Sequence, residues 1–420
     1  MGVVLITDDY YPKLGGIANV LFNLVKSLNN KDQEIFVFNP FSNGYNEFKI
    51  STLKRKSSTK VLDFFRKRKS YYLLFKSILK IVSDKKIPYS NRFRLLLYLI
   101  SKPKYMIKLL RIVNDISPHL KKLKFEVIIC GHSGWILPLV YLLSRIFNKK
   151  LIAMAYGNDF LIRSPLSLKS YFFRTADKII VITNEMKNLI KRMHHLKENQ
   201  IKVINVGINL EELVISKSKE ELRKEFNIPK DQFVMLSVGR HVPRKKFDLV
   251  IEAVKEIKKI KPDLKIKYFL IGEGRETPKF RVLVENLNLQ NEVKLLGSCD
   301  KETRNKFYKL SDLFLMPSVT EKNNIEGFGI VFLEANYYKV PVIGAATGGI
   351  VEAIVDGKTG FLIKPNDLSD LTEKILTICS NKKERIKLGQ YAYERVINEF
   401  TWDKIVENYI SILEELKQLT

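Results

Sequence analysis

Short apolar runs of three to six residues recur along this chain, and each ends in glycine or a polar cluster. They fall at residues 3–6, 34–38, 125–130, 151–155, 178–183, 233–238, 268–271, 293–296, 313–316 and 361–363. Runs that are apolar along most of their length, rather than strictly alternating, belong to strands buried on both faces, as in a parallel sheet. Stripes at helical spacing lie between them, such as Val20, Leu21, Leu24, Val25 and Leu28. The pattern predicts an α/β protein, and 420 residues leave room for two domains. The longest apolar stretch, 135–143, contains Pro138 and falls far short of the roughly 20 residues that cross a bilayer. The first residues enter a strand pattern without a basic, cleavable leader, so no secretory signal is expected. Cys130, Cys299 and Cys379 are odd in number and widely spaced, which predicts buried thiols in a reducing compartment.

The densest cluster of chemical features lies at residues 316–363. Glu326-Gly327-Phe328-Gly329 opens an apolar run that reads as a helix start, and Glu334 follows Glu326 by eight positions. A glycine loop opening a helix aims unpaired N–H groups at an anionic or hydroxyl-bearing ligand. If both glutamates are helical, they lie about 80° apart around the axis and about two turns apart along it. That spacing suits two contacts along one extended ligand, not a close acid–base couple. Near the start of the chain, Gly15-Gly16 stands between a strand and a helix pattern, an arrangement that also cradles phosphate. It lacks the G-x-G-x-x-G of a dinucleotide fingerprint.

The first stretch, with Gly348-Gly349-Ile350-x-Glu352 and Asp356-Gly357-x-x-Gly360-Phe361, resembles the donor half of retaining glycosyltransferases of family 4. The resemblance implies a GT-B fold, two Rossmann-like domains facing across a cleft. It implies that Glu326 and the amides of Gly327, Phe328, Gly329 and Ile330 hold the donor sugar, and that Glu334 holds the ribose. Arg240 and Lys245 match the pair that neutralises the donor diphosphate, with Lys246 standing where glycine is usual. Gly15 and Gly16 match the turn that faces the diphosphate across the cleft, and Gly272 is expected to border the nucleotide. Arg240, Lys245 and Glu326 are therefore the expected catalytic residues. Many members carry a histidine where this chain has Tyr156, so no catalytic histidine is assigned. His132 and Asp159 end successive strands and are acceptor-side candidates together with Tyr156; a structural loop histidine and a helix cap are the alternatives. The implied domains are 1–210, with an insert at about 49–124, then 211–399, and a last helix, 400–420, packing back on the first domain.

Net charge is the strongest anomaly of composition, at +27. Residues 49–124 hold 22 Lys and Arg against Asp63, Asp84 and Asp115, interleaved with aromatic residues and leucines. Basic residues beside apolar helical stripes suit an interfacial helix on anionic membrane. A solvated basic face on core-packed helices is the alternative, and nucleic acid is the least favoured partner. The expected function is retaining transfer of a sugar from a nucleotide-diphosphate sugar to a lipid-linked or glycan acceptor. The expected location is the cytoplasm, peripheral to the inner membrane face, in polysaccharide or glycolipid synthesis. Neither cofactor nor metal is expected, since no ligand cluster stands out. A nucleotide-sugar 2-epimerase and a catalytically silent subunit with a membrane partner are the rival readings.

Overall fold

The computed structural model describes residues 2–10, 15–39, 48–49, 103–161, 169–321 and 324–418. The chain divides into two compact units, Met1–Ile204 with Val406–Thr420, and Asn205–Ile405.

In the first unit the strands are β1 (Gly2–Ile6), β2 (Glu34–Phe38), β3 (Phe48–Lys49), β4 (Val127–Cys130), β5 (Lys150–Ala155), β6 (Lys178–Val181) and β7 (Ile201–Val203). They form one sheet in the order β3-β2-β1-β4-β5-β6-β7, parallel except for β3, which runs antiparallel on the edge. In the second unit β8 (Phe233–Val238), β9 (Ile266–Ile271), β10 (Val293–Gly297), β11 (Leu313–Met316), β12 (Val342–Ala345) and β13 (Gly360–Ile363) lie in the order β10-β9-β8-β11-β12-β13. Strands β1, β4, β8 and β11 are buried at every position, the result of helices covering both faces. Each sheet starts at an inner strand, β1 or β8, builds outward on one side, then returns to add β4 or β11 on the other. The carboxyl ends of β1 and β4, and of β8 and β11, therefore flank a topological switch point, where open α/β sheets bind ligands.

The boundary between the units lies at 204/205, a few residues before the expected one. Residues after β7 already belong to the second unit, because Ile208 N–H donates to Phe400 O at 2.8 Å and Ile208 bridges Thr401. The last helix, Trp402–Gln418, begins in the second unit, and from Val406 onward it belongs to the first. There Glu407 pairs with Lys31 at 2.6 Å, and Glu415 pairs with Lys178.

Most of the basic stretch at 49–124 lies outside the described residues. Its last part is the helix Pro103–Leu120, which Pro103 starts, in keeping with the tolerance for proline at a first helical position. Leu109, Ile112, Val113, Ile116 and Leu120 are buried, so this segment packs on the core while Arg111 stays exposed. No helix among the described residues is long and apolar enough to cross a membrane. Cys130 is buried, but Cys299 and Cys379 are only partly so, and the expectation of three buried thiols holds for Cys130 alone.

A buried ion cluster ties the second unit's first helix, Lys219–Glu225, to its sheet. Asp312, just before β11, accepts from Lys219 Nζ at 2.8 Å, from Arg223 and from Val234 N–H at 2.8 Å. Burial alone would raise the Asp312 carboxyl, but Lys219 and Arg223 outweigh it and hold it below its usual range. A depressed carboxyl stabilises the fold above its unfolded pKa, and that contribution is lost as pH falls through the folded value. Asp312→Ala should cost about 3–5 kcal/mol by stranding the buried Arg223 and leaving the half-buried Lys219 without its carboxylate. The expected readout is a lower urea midpoint at neutral pH, with the difference from wild type shrinking as the buffer is acidified.

Candidate functional site

At the end of β8, Gly239-Arg240 leads into a single 3-10 turn, Pro243–Lys245, and then the helix Phe247–Ile260. Lys246 joins them at φ 53°, ψ 40°, a left-handed conformation. This accounts for the usual glycine there: the turn keeps glycine's geometry, at a cost on the order of 1–2 kcal/mol for a lysine. The turn sends Lys245 inward. Its Nζ donates to Glu326 Oε2 at 2.7 Å and to Met316 Sδ, at the end of β11, at 3.1 Å. Arg244 pairs with the same Oε2 of Glu326. All three side chains are 11% exposed. Burial would raise the Glu326 carboxyl, but Lys245 and Arg244 outweigh it and hold it down at about 2. Burial lowers the Lys245 ammonium, and the facing carboxylate opposes that.

Glu326 precedes its helix. Gly329 sits at φ 84°, ψ 60°, and the helix Ile330–Tyr337 begins only after it. The premise of two helical glutamates 80° apart is therefore corrected: only Glu334 is helical, since the left-handed Gly329 breaks the ladder. Gly348 and Gly349 bring their backbone against this segment, and Gly349 N–H donates to Glu326 O at 3.0 Å. A Cβ on Gly348 would lie 2.8 Å from that same oxygen. Phe328 is buried with its ring 5.6 Å from Phe400, so only its backbone is left to offer a ligand. Gly327 and Ile330 remain partly exposed beside it, and no side chain caps the helix start.

Glu334 accepts from the Tyr308 hydroxyl at 2.8 Å and pairs with Arg304 at 3.5 Å. Burial and the neighbouring carboxylate push the Tyr308 phenol well up, so it stays a donor. Gly272, at the end of β9, has a structural duty. At φ 125° a Cβ there would lie 2.0 Å from Gly239 O, so glycine lets the two strand ends meet. Arg240 is exposed on the same loop and makes no side-chain hydrogen bond or ion pair among the described residues. Arg244, Arg304 and Tyr308 escaped the sequence reading. Arg244 stands in the run Arg244-Lys245-Lys246, where residue type alone does not say which cation turns inward. Arg304 and Tyr308 lie one turn apart on a helix whose distance from Glu334 no spacing reveals.

In the first unit, Asp8 at the end of β1 accepts from Trp135 Nε1–H at 3.1 Å and pairs with His132 Nε2. Gly134 N–H donates to His132 Nδ1 at 3.0 Å, which assigns the proton to Nε2. His132 is thus held on both ring nitrogens across the switch point. Asp159 is occupied by backbone: Oδ2 accepts from Ser133 N–H at 2.9 Å, and Oδ1 from Tyr156 N–H at 3.0 Å and Gly157 N–H at 2.9 Å. Its carboxylate ties two loops together, and Asp159 stands within the short helix Asn158–Leu161 instead of preceding it as a cap. The Tyr156 hydroxyl donates to Met154 Sδ at 3.6 Å, and burial pushes its phenol well above the usual value, which favours the protonated form. Gly15 and Gly16 are exposed at the start of the helix Gly16–Asn30, and no described residue beyond the local backbone lies within 4 Å of where a Cβ would stand.

Residues 14–212 match the family described as Glycosyltransferase Family 4, and residues 218–395 match that described as Glycosyl transferases group 1. The chain belongs to the group 1, family 4 glycosyltransferases. It is 29% identical over 420 residues to an uncharacterized glycosyltransferase of Methanocaldococcus jannaschii, covering 98% of each chain. Among solved structures it is similar to sucrose-phosphate synthase from Thermosynechococcus elongatus, with a TM-score of 0.73, 20% identity and full coverage of both chains. It is also similar to Anabaena HepE in complex with UDP-glucose, with a TM-score of 0.67, 18% identity, and coverage of 99% of this chain and 100% of that one. The fold of this glycosyltransferase is GT-B, and its two sheets are the Rossmann-like halves. Among its described residues no group of three or more His, Cys, Asp or Glu is placed to hold a metal ion.

The cluster in this glycosyltransferase makes a stability prediction independent of turnover. Glu326→Gln leaves Lys245 and Arg244 facing each other without a carboxylate, which should cost about 3–5 kcal/mol. Adding Lys245→Met should recover part of that loss, a coupling read from urea midpoints of the two single variants and the double variant.

Proposed function

We propose that this glycosyltransferase moves a hexose from a nucleoside diphosphate sugar to a lipid-linked or glycan acceptor, with retention of anomeric configuration. The cluster of Lys245, Arg244 and Glu326 at the second switch point carries the reading. Breaking the bond between the sugar C1 and the diphosphate leaves added negative charge, which fixed cations in a water-poor site stabilise. Lys245 is such a cation, and Arg240 adds a second with its guanidinium free to turn toward a ligand. Glu326 is the acceptor for a sugar hydroxyl, and Glu334 is the acceptor for the ribose. The new C1–O bond forms on the face the diphosphate leaves, and the acceptor's proton goes to the departing phosphate oxygen. No step in this scheme calls on a metal. The UDP-glucose bound by the HepE structure supports a nucleotide sugar as donor.

The test is a panel of UDP-, GDP- and ADP-linked hexoses with cell lipid extract as acceptor, followed by analysis of product and linkage. Transfer separates this reading from an epimerase, and any turnover separates it from a silent subunit. Glu334→Gln should weaken donor binding at least tenfold, on the scale of roughly 1.5–3 kcal/mol for a hydrogen bond to a charged group. Lys245→Ala or Arg240→Ala should each lower kcat by about 10²-fold, and the double variant by less than the product. Unchanged rates in both single variants would place the diphosphate elsewhere.

We further infer that the enzyme works at the cytoplasmic membrane face, in cell-surface polysaccharide or glycolipid synthesis. The charge of residues 49–102 supports this, at about 1 kcal/mol per Lys or Arg close to an anionic surface. Sedimentation with anionic vesicles, release by salt, and little binding to neutral vesicles are the expected results. Equal binding to both vesicle types would remove the inference.

A further inference from the structure

The loop after β8 supplies two cations to Glu326, although one would neutralise it. Both reach the same oxygen, Oε2, from adjacent residues. Their surroundings differ. Lys245 carries three N–H donors, of which Glu326 takes one and the Met316 thioether another, leaving one for a ligand. Arg244 is fixed at both ends. Its carbonyl accepts from Val319 N–H at 2.8 Å, and its guanidinium is on Glu326. If Lys245 were the only counter-ion, each turn of its charge toward a phosphate would strand a buried carboxylate.

We propose that Arg244 is a positioning residue: it holds Glu326 in place and compensates its charge, so that Lys245 is free to serve the leaving diphosphate. This rests on the reading of Lys245 and Glu326 as donor contacts. Two cations and one carboxylate leave a net positive charge for the ligand. With Arg244 gone, Lys245 and Glu326 would cancel each other and Lys245 would stay committed. Among the described residues, the charged groups that pair with Glu326 are Lys245 and Arg244. The end of β11 presents the Met316 thioether to Lys245, and the Gly348-Gly349 turn presents backbone to Glu326. Arg240 bears on the cluster through Lys245.

The pH dependence follows with a definite sign. Glu326 is held at about 2, so it stays ionised across the working range. Removing Arg244 raises its pKa, and activity and stability that need the carboxylate then fail at a higher pH than in wild type.

The experiment compares Arg244→Gln and Arg244→Lys with wild type, in the full chain at neutral pH, on the donor panel. Arg244→Gln should lower kcat about tenfold, because Lys245 then stays committed to Glu326. KM should change less than kcat, and Arg244→Lys should keep kcat near wild type. Wild-type kcat in Arg244→Gln, or equal damage in both variants, overturns the proposal. A second measurement needs no turnover: acid unfolding followed by circular dichroism. Its midpoint should rise in Arg244→Gln and not in Arg244→Lys, and equal midpoints in all three proteins overturn the proposal. A wild type that turns over no donor would sink the proposed function, leaving the acid-unfolding comparison to decide Arg244.

Discussion

Glu326 is a buried carboxylate whose counter-charges come from 81 and 82 residues earlier in the chain. Taking three charges out of water is costly, and only close mutual contact offsets that cost. The requirement binds the loop after β8, the end of β11 and the segment before the helix Ile330–Tyr337 into one arrangement. None of the three can shift alone without exposing an uncompensated charge. Under the proposed function, the ions that hold the switch point of the second sheet together would also meet a diphosphate and a sugar hydroxyl, so rigidity and recognition would share one electrostatic source.

Glycines set how closely these pieces meet. Gly272 lets β9 run against the carbonyl of Gly239, and Gly348 lets its turn approach the carbonyl of Glu326. Gly329 turns the backbone so that Glu326 faces the cations while Glu334 starts its own contacts from the helix. Their roles are in the approach of backbone to backbone, which leaves the partly exposed Gly327 and Ile330 as the residues beside Glu326 with backbone to offer a ligand.

The first unit repeats the architecture with different chemistry. Its switch point holds the pair of Asp8 and His132, braced by Trp135 and by the amide of Gly134. Asp159, which reads as a strand-end carboxylate facing outward, turns back to collect three amides. A polar residue at a strand end is equally able to serve a ligand or its own loop, and backbone donors nearby decide between them.

Sequence alone determined the class of fold and the identity of most strands. Buried parallel strands must be apolar on both faces, and polar or glycine residues must follow where they end, so both signals are local. It also singled out Glu326, Glu334 and Lys245 as candidates, because each stands in a contiguous motif that resembles the family's. Tertiary structure alone decided which cation meets which carboxylate. Arg244, one position from Lys245, shares Glu326, while Arg240, equally basic, stands in solvent. It decided that Tyr308 and Arg304 serve Glu334, and that the unit boundary falls at Asn205. Each of these depends on the direction a side chain takes from its turn and on a partner distant in the chain. Neither quantity is written in residue type or spacing.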